Sequence, residues 1–291
     1  MIAMVPARSV SASFFHVRAI IGFVTLCVAG ATLTSAQARA QDASPWAQDS
    51  HSAVRLLAGS RSGAVLLGGV AFRLQPGWKT YWRTPGDSGV PPRFDFSGSD
   101  NIEAVTVLWP APRPFPDGAG GTSLGYKEQV VLPLRIALKA ADKPAVLRMN
   151  LSYAVCDKLC VPVEAKAELP LSSVASTEDA TLSAALDAVP KPANVGDPLP
   201  LTIVDVRRDG ALDVIVDVAA NDVDDPNLFV EGPTPEWSLP LPKRIDADAP
   251  GLKRFSFALD GLPAGARPDG AALKFTLVGG SRAYEFNVNL P

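Results

Sequence analysis

The sequence predicts an all-β protein made of two β-sandwich domains with one short helix between them. Apolar and polar residues alternate with period two in many short segments, as in half-buried strands. The 27 prolines and 23 glycines are scattered through the chain, which indicates many turns. Only one segment has the composition of a helix. We place the first sandwich at residues 45–175, the helix and a linker at 176–198, and the second sandwich at 199–291.

The first 40 residues predict a cleaved secretory signal peptide. Arg8 and Arg18 give a positive start, and the run 19–31 is apolar but shorter than the roughly 20 residues of a membrane span. Ala38-Arg39-Ala40 then forms a small-x-small cleavage site. Cys27 would be removed with this leader. We therefore expect an exported protein that does not span the membrane when mature, in a compartment that permits disulfides.

The charge of the mature chain argues against nucleic acid as a partner. Without the three arginines of the leader, 24 of the 27 basic residues remain against 30 acidic ones, a net charge of −6. A protein that binds nucleic acid would carry a basic stripe instead.

The strands of the first sandwich are predicted where alternating runs end at turn residues. One run stops at Pro76-Gly77, another at Pro110, and Asp142-Lys143-Pro144 forms a turn between two more. Runs of this length favour an antiparallel sandwich over a parallel α/β sheet. The predicted strand segments are 64–74, 104–109, 129–138, 145–155 and 165–171.

The helix is predicted at residues 177–189, with Thr177 as its cap and Pro190 at its end. Residues 191–198 indicate a linker. Alternation then resumes, which predicts a second, smaller sandwich. Its predicted strands are 201–206, 212–218, 255–259, 273–278 and 284–290.

The segment SYAVCDKLCVPV, residues 152–163, holds the two cysteines that remain in the mature chain. Strand residues four apart lie about 13 Å apart, whereas a disulfide needs Cα atoms within about 7 Å. Cys156 and Cys160 can therefore bond only across a tight turn at residues 157–159. Such a turn would end a strand and place both sulfurs at the rim of the sandwich.

The spacing of the cysteines leaves three interpretations open: a redox-active pair, a structural staple and a Cu(I) site. As a staple the pair is weak, because closing a loop of about five residues contributes only ~2 kcal/mol. Copper would need a third soft ligand, for which Met149 is the nearby candidate. Zinc needs about four ligands, and the mature chain adds only His51. We predict no metal and no cofactor.

Three linked motifs across residues 45–175 resemble the N-terminal periplasmic domain of DsbD-type disulfide reductases, and of their ScsB-like relatives in particular. They are YAVCDKLCVPVE at 153–164, PGWKTYWRTPGDSGVPP at 76–92, and WPAPRPFP at 109–116 followed by GYKEQVVLP at 125–133. The resemblance implies immunoglobulin-like sandwiches for both domains. It also implies a periplasmic protein.

The family resemblance further implies that Cys156 and Cys160 are the pair that exchanges disulfides. It does not assign the attacking cysteine, for which we choose Cys160 as a working hypothesis. The expected partners are thioredoxin-fold periplasmic proteins and a membrane-embedded electron donor, here a separate protein. In this family an aromatic loop shields the disulfide. The matching stretch at 116–123 is glycine-rich and lacks the aromatic residue, so Phe115 or Tyr126 would have to provide the shield.

Six residues are predicted to support the cysteine pair. Aromatic side chains close to the sulfurs would exclude water, and an acid close to them could assist proton transfer. The main alternative from another class is a binding or adaptor module with a structural disulfide. The candidate supporting residues are Tyr81, Trp82, Tyr126, Tyr153, Asp117 and Asp157.

Overall fold

The computed structural model describes residues 41–61, 63–172, 174–221, 223–247 and 251–291. The signal peptide predicted at 1–40 lies outside these residues. The described residues form nineteen strands and a single α-helix. The strands build sheets packed as sandwiches, which confirms the predicted all-β class with immunoglobulin-like domains. No helix in the described ranges has the length and apolar character needed to cross a membrane.

The first sandwich contains strands β1 to β11 in two sheets. One sheet has the order β1-β2-β3-β9-β6, the other the order β11-β10-β4-β8-β7, with β5 paired to β10. The strands are β1 Ala47–Gln48, β2 Ser52–Ala58, β3 Val65–Leu74, β4 Lys79–Gly86, β5 Arg93–Asp95, β6 Ile102–Val107, β7 Arg113–Pro116, β8 Thr122–Lys127, β9 Gln129–Leu138, β10 Val146–Cys156 and β11 Cys160–Pro170.

Strand β10 illustrates why these sequences form a sandwich. Leu147, Met149, Leu151, Tyr153 and Val155 all face the core and are buried. The residues between them face the other side of the sheet, because successive strand side chains alternate. Burying a side chain of this size stabilises the fold by about 1.5–3 kcal/mol, so the register of β10 is fixed by its apolar face.

The β10–β11 hairpin is the longest ladder in the first sandwich. It pairs in continuous register from Val146 opposite Pro170 to Cys156 opposite Cys160. Only residues 157–159 remain for the turn. The hairpin therefore carries the two cysteines at its closed end, as predicted from their spacing.

The helix α1, Asp179–Asp187, packs on the first sandwich. Its fully buried Leu182 clusters with Leu57 and Ala71. The helix can approach closely because the sheet has glycine beneath it: a Cβ at Gly69 would lie 2.7 Å from the Leu182 side chain. The predicted cap is wrong. Glu178 is the N-cap without a side-chain cap bond, and Thr177 instead donates to Asp42 from its backbone and hydroxyl.

The second sandwich contains two four-stranded sheets, ordered β12-β19-β18-β15 and β13-β14-β17-β16. Its core is rich in Val and Phe, including the fully buried Phe275 and Phe286. The segment predicted as a linker contains a short strand that pairs in parallel with β19. The strands are β12 Lys191–Ala193, β13 Leu201–Asp209, β14 Asp213–Ala220, β15 Asn227–Glu231, β16 Lys243–Ile245, β17 Leu252–Ala258, β18 Ala272–Gly279 and β19 Arg282–Asn289.

Strand β4 connects the two sandwiches through side chains. Arg83 Nη2 lies 2.6 Å from Glu231 of β15 and 3.3 Å from Glu285 of β19. The neighbouring Trp82 packs at 6.0 Å between ring centroids against Phe229, which is buried in the core of the first sandwich. The second sandwich is thus attached to the strand that also reaches the cysteine pair.

Candidate functional site

Cys156 and Cys160 form a disulfide at the end of the β10–β11 hairpin. Their Cα atoms are 4.2 Å apart. The turn is closed by a hydrogen bond from the Asp157 backbone N–H to the Leu159 carbonyl, 3.3 Å. The tight turn predicted from the sequence is present, and the disulfide lies at the strand ends.

The two sulfur-bearing residues differ in exposure. Cys156 is 2 % exposed and packs with Tyr81 and Ala154 on the face of the sheet that points away from the core. Cys160 is exposed. A thiolate from another protein can therefore approach the disulfide from the Cys160 side, whereas Cys156 is covered.

Tyr81 is the side chain that contacts both sulfurs. Its hydroxyl donates to Cys156 Sγ at 2.7 Å and lies 3.2 Å from Cys160 Sγ. The residue is 3 % exposed. Burial raises the pKa of Tyr81 above its ordinary value, and the charge of Asp117 raises it further. The hydroxyl thus keeps its proton and remains a hydrogen-bond donor to sulfur across the physiological range.

Two glycines make room for the Tyr81 side chain and backbone. Gly89 has φ +132°, and a Cβ there would lie 2.3 Å from the Tyr81 ring. A Cβ at Gly125, on the paired strand β8, would lie 2.0 Å from the Thr80 carbonyl oxygen. The backbone at Gly89 therefore lies directly against the Tyr81 ring. Sequence reasoning did not single out Gly89, although it lies in one of the family motifs.

Asp117 organises the glycine-rich turn between β7 and β8. Its carboxylate accepts from the backbone N–H of Ala119 at 2.8 Å and of Gly121 at 2.9 Å, and from the Ser88 hydroxyl at 3.1 Å. The pKa of Asp117 is lowered, with the Ala119 hydrogen bond as the largest cause. The bond to Ser88 ties this turn to the segment at Gly89 that covers Tyr81. Asp117 is therefore connected to Tyr81 by its charge and, through Ser88, to the segment that packs on the Tyr81 ring.

Three of the six candidate supporting residues face the core. Trp82 is fully buried next to Phe229. The Tyr126 hydroxyl donates to the Pro110 carbonyl at 2.8 Å, and the Tyr153 hydroxyl lies 2.7 Å from the Ser52 hydroxyl. Strand alternation explains this placement, because Tyr81 and Cys156 occupy the opposite face of the sheet. Asp157, the sixth candidate, is exposed in the hairpin turn.

Lys79, the neighbour of Cys156 in the sheet, lies together with Lys127 beside the Phe115 ring. Lys79 is opposite Cys156 in the β4–β10 register and is 9 % exposed. Its Nζ donates to the Pro116 carbonyl at 3.1 Å and lies 6.0 Å from the Phe115 ring centroid. Lys127 Nζ lies 4.7 Å from the same ring. The spacing of Lys79 and Tyr81 could have predicted that Lys79 lies on the same face as Tyr81, since residues two apart share a strand face.

The copper alternative finds no support at this site. Met149 is buried in the core, on the face of β10 opposite to Cys156. In the described part of the chain, no three His, Cys, Asp or Glu side chains converge to hold a metal ion. Met149 is therefore not placed to act as a third soft ligand beside these sulfurs.

The fold and the site together define an immunoglobulin-like β-sandwich protein with a half-buried cysteine disulfide at a hairpin end. Residues 52–172 match the family model described as thiol:disulfide interchange protein DsbD, N-terminal. This match confirms the family resemblance of the cysteine-bearing segment. Residues 52–172 are thus similar to a thiol:disulfide interchange module, and their cysteine pair lies at bonding distance.

The fold also matches a crystal structure of the N-terminal periplasmic domain of ScsB from Proteus mirabilis. The TM-score is 0.70 with 22 % sequence identity, over 86 % of this chain and 99 % of that chain. The match therefore extends across both sandwiches and establishes a shared fold. None of the curated proteins matches this sequence.

Proposed function

We propose that this protein is a periplasmic protein-disulfide reductase component that exchanges disulfides through Cys156 and Cys160. Its partners in this proposal are thioredoxin-fold proteins and a membrane-embedded electron donor. The family match of residues 52–172 supports the chemistry. The signal-peptide pattern at 1–40 supports export, and the similar ScsB domain is described as periplasmic.

The observation that carries this proposal is the asymmetry of the disulfide. Cys160 is exposed, while Cys156 is buried under Tyr81 with a hydroxyl donor at 2.7 Å. Exchange needs one sulfur that can be attacked and a second that can leave as a thiolate. Hydrogen bonds to a charged acceptor are stronger than those to a neutral one, so the Tyr81 hydroxyl stabilises Cys156 most when it leaves.

The steps of exchange follow from this asymmetry. When electrons enter, a partner thiolate attacks Cys160 Sγ, a mixed disulfide forms, and Cys156 leaves as a thiolate. The partner's second thiolate then attacks its own sulfur in the mixed disulfide and releases Cys160, so the pair is reduced and the partner oxidised. When electrons leave, the Cys160 thiolate attacks a partner disulfide, and Cys156 resolves the mixed disulfide.

Tyr81 is a catalytic residue in this mechanism, because its hydroxyl touches both reacting sulfurs. Asp117 has a positioning role: it fixes the turn and the Ser88 hydroxyl, and its charge helps to keep Tyr81 protonated. Asp157 remains a candidate for proton transfer, since it is exposed next to the buried cysteine.

The adaptor alternative is tested by the reduction potential of the cysteine pair, measured by thiol trapping in glutathione buffers of graded poise. A redox carrier should lie between about −180 and −270 mV, the range of known exchange proteins. A potential well below about −300 mV, typical of structural disulfides, would favour an adaptor with an inert staple.

A trapping experiment tests the assigned order of the cysteines. The Cys156→Ala variant keeps the exposed thiol and should accumulate a mixed disulfide with an oxidised thioredoxin-fold protein, visible on a non-reducing gel. The Cys160→Ala variant keeps only the covered thiol and should accumulate much less. Equal trapping by both variants would refute the order, and no trapping by either would refute exchange with this class of partner.

A further inference from the structure

A second candidate site lies on the other sheet of the first sandwich. Helix α1 and strands β2, β3 and β9 enclose an open cleft of about 500 Å³. This volume is within the range of about 300–1,000 Å³ that is usual for small-molecule sites. None of the residues that line the cleft belongs to the cysteine site. The cleft is therefore separate from the cysteine site.

The positively charged groups of the cleft are two arginines around one indole. The guanidinium carbons of Arg55 and Arg73 lie 4.6 Å and 4.4 Å from the centroid of the Trp46 ring. Such stacking holds a planar guanidinium in a fixed orientation while its N–H groups stay free to bind an anion. Both arginines come from neighbouring strands that pair in register, so their positions are set by the sheet.

The hydrogen-bonding capacity of these arginines is not used up within the protein. Arg55 makes one ion pair, from Nη2 to Glu178 at 3.4 Å, and its buried Nε has no partner. Arg73 forms no ion pair with any described residue; its contact is the Trp46 ring. With two positive groups and one carboxylate, the cleft carries an excess of one positive charge. The Arg55 Nε is closed off from solvent, whereas Arg73 is exposed, so Arg73 is the guanidinium that an anionic ligand can reach.

The rest of the cleft is apolar. Leu57, Ala71 and Val131 provide the sheet side, and Ala184 and Ala188 provide the helix side. The small helix side chains leave the space that a larger residue would fill. A ligand that fits would combine a single negative charge with an apolar body.

We infer that this cleft binds a small monocarboxylate with an apolar body, with the carboxylate paired to the exposed guanidinium of Arg73. The planar guanidinium matches the two oxygens of a carboxylate. One negative charge balances the excess charge of the cleft, whereas a phosphate dianion would leave a charge unpaired. The same chemistry is offered by a free carboxylic acid and by the C-terminal carboxylate of a peptide.

The test is calorimetric titration of the full mature protein with benzoate, which represents a free acid, and with N-acetylphenylalanine, which represents a chain terminus. The uncharged benzamide and N-acetylphenylalanine amide are the matched ligands. We expect at least one acid to bind at millimolar concentration or below. Its amide should bind roughly tenfold more weakly or not at all, because the charge-assisted hydrogen bonds are lost. Comparison of the two acids shows whether the cleft prefers a free carboxylic acid or the C-terminal carboxylate of a peptide.

Variants of the arginine test the assigned contact. Arg73→Gln should weaken binding by roughly tenfold, and Arg73→Lys should restore part of it by keeping the charge without the planar fork. Arg135→Gln, an exposed arginine on the same sheet outside the cleft, is the control and should leave binding unchanged. No binding of either acid, equal binding of acid and amide, or no effect of Arg73→Gln in a folded variant would overturn the inference.

Discussion

Replacement of Tyr81 by phenylalanine should make the cysteine pair harder to reduce. The substitution keeps the ring that packs beneath Gly89 and removes only the hydroxyl that lies 2.7 Å from Cys156 Sγ and 3.2 Å from Cys160 Sγ. The hydroxyl stabilises both redox states, but it stabilises a thiolate more than a neutral disulfide sulfur. Its removal therefore penalises the reduced form, and the reduction potential becomes more negative.

The magnitude follows from the difference between two hydrogen bonds. A hydrogen bond to a charged acceptor contributes about 1.5–3 kcal/mol and one between neutral groups about 0.5–1.5 kcal/mol. The difference of about 1–1.5 kcal/mol corresponds to roughly 20–30 mV for a two-electron couple. The effect should be largest near pH 9, above the ordinary thiol pKa of about 8.5. The raised pKa of Tyr81 keeps its hydroxyl protonated there.

The assay is the same thiol trapping in glutathione buffers, applied to wild type and variant. Tyr153→Phe is the matched control: it removes a hydroxyl from strand β10, but that hydroxyl contacts Ser52 on the core side. The control should lose stability and keep its potential. An unchanged or more positive potential in Tyr81→Phe would refute a role for the hydroxyl in stabilising the thiolate.

Three further predictions concern stability. Gly89→Ala should lower the free energy of unfolding in urea by at least about 2 kcal/mol, because φ is +132° and the new Cβ would meet the Tyr81 ring. Gly98→Ala, whose Cβ would enter open space, is the control, and an equal loss in both would contradict the packing argument. Arg83→Met should destabilise by about 2 kcal/mol, because it removes the ion-pair partner of the half-buried Glu231 and leaves it the Thr84 hydroxyl bond; the more exposed Arg148→Met should lose less. The pKa of Asp217 is lowered, mainly by its hydrogen bond from Arg254. Its contribution to the free energy of unfolding is therefore present above the unfolded pKa of about 3.9 and is lost as pH falls through the lower folded pKa. Asp217→Asn should therefore show a weaker loss of stability in acid than wild type, measured by thermal melts between neutral pH and about pH 3; an identical acid profile would count against this.

The all-β fold and the position of the cysteines could be predicted because both follow from short-range rules. Period-two alternation identified β10, and the distance argument required a turn between Cys156 and Cys160. The short strand β12 was not predicted, since three residues are too few to show a period. The cap of α1 was predicted wrongly because Asp42, more than 130 positions away in sequence, takes the hydrogen bonds of Thr177.

The supporting residues of the site depend on register, which the sequence does not reveal. Tyr81 and Trp82 are adjacent on β4, so only one of them can face the sulfurs. The pairing of Lys79 with Cys156 selects Tyr81. A register shifted by one residue would have selected Trp82 instead. The same alternation applies to β10. Tyr153 and Val155 are two positions apart and both face the core, whereas Cys156 lies on the opposite face.

The β10–β11 hairpin is held together by its strand pairing and does not depend on the disulfide. Eleven residue pairs in continuous register hold β10 and β11 together, whereas the disulfide closes a loop of about five residues and contributes only ~2 kcal/mol. Breaking the S–S bond should leave the ladder, and thus the spacing of the two thiols, in place. The oxidised and reduced forms would then share one backbone conformation. The cysteine pair could be reduced and reoxidised many times without a partly unfolded state that proteases could cut.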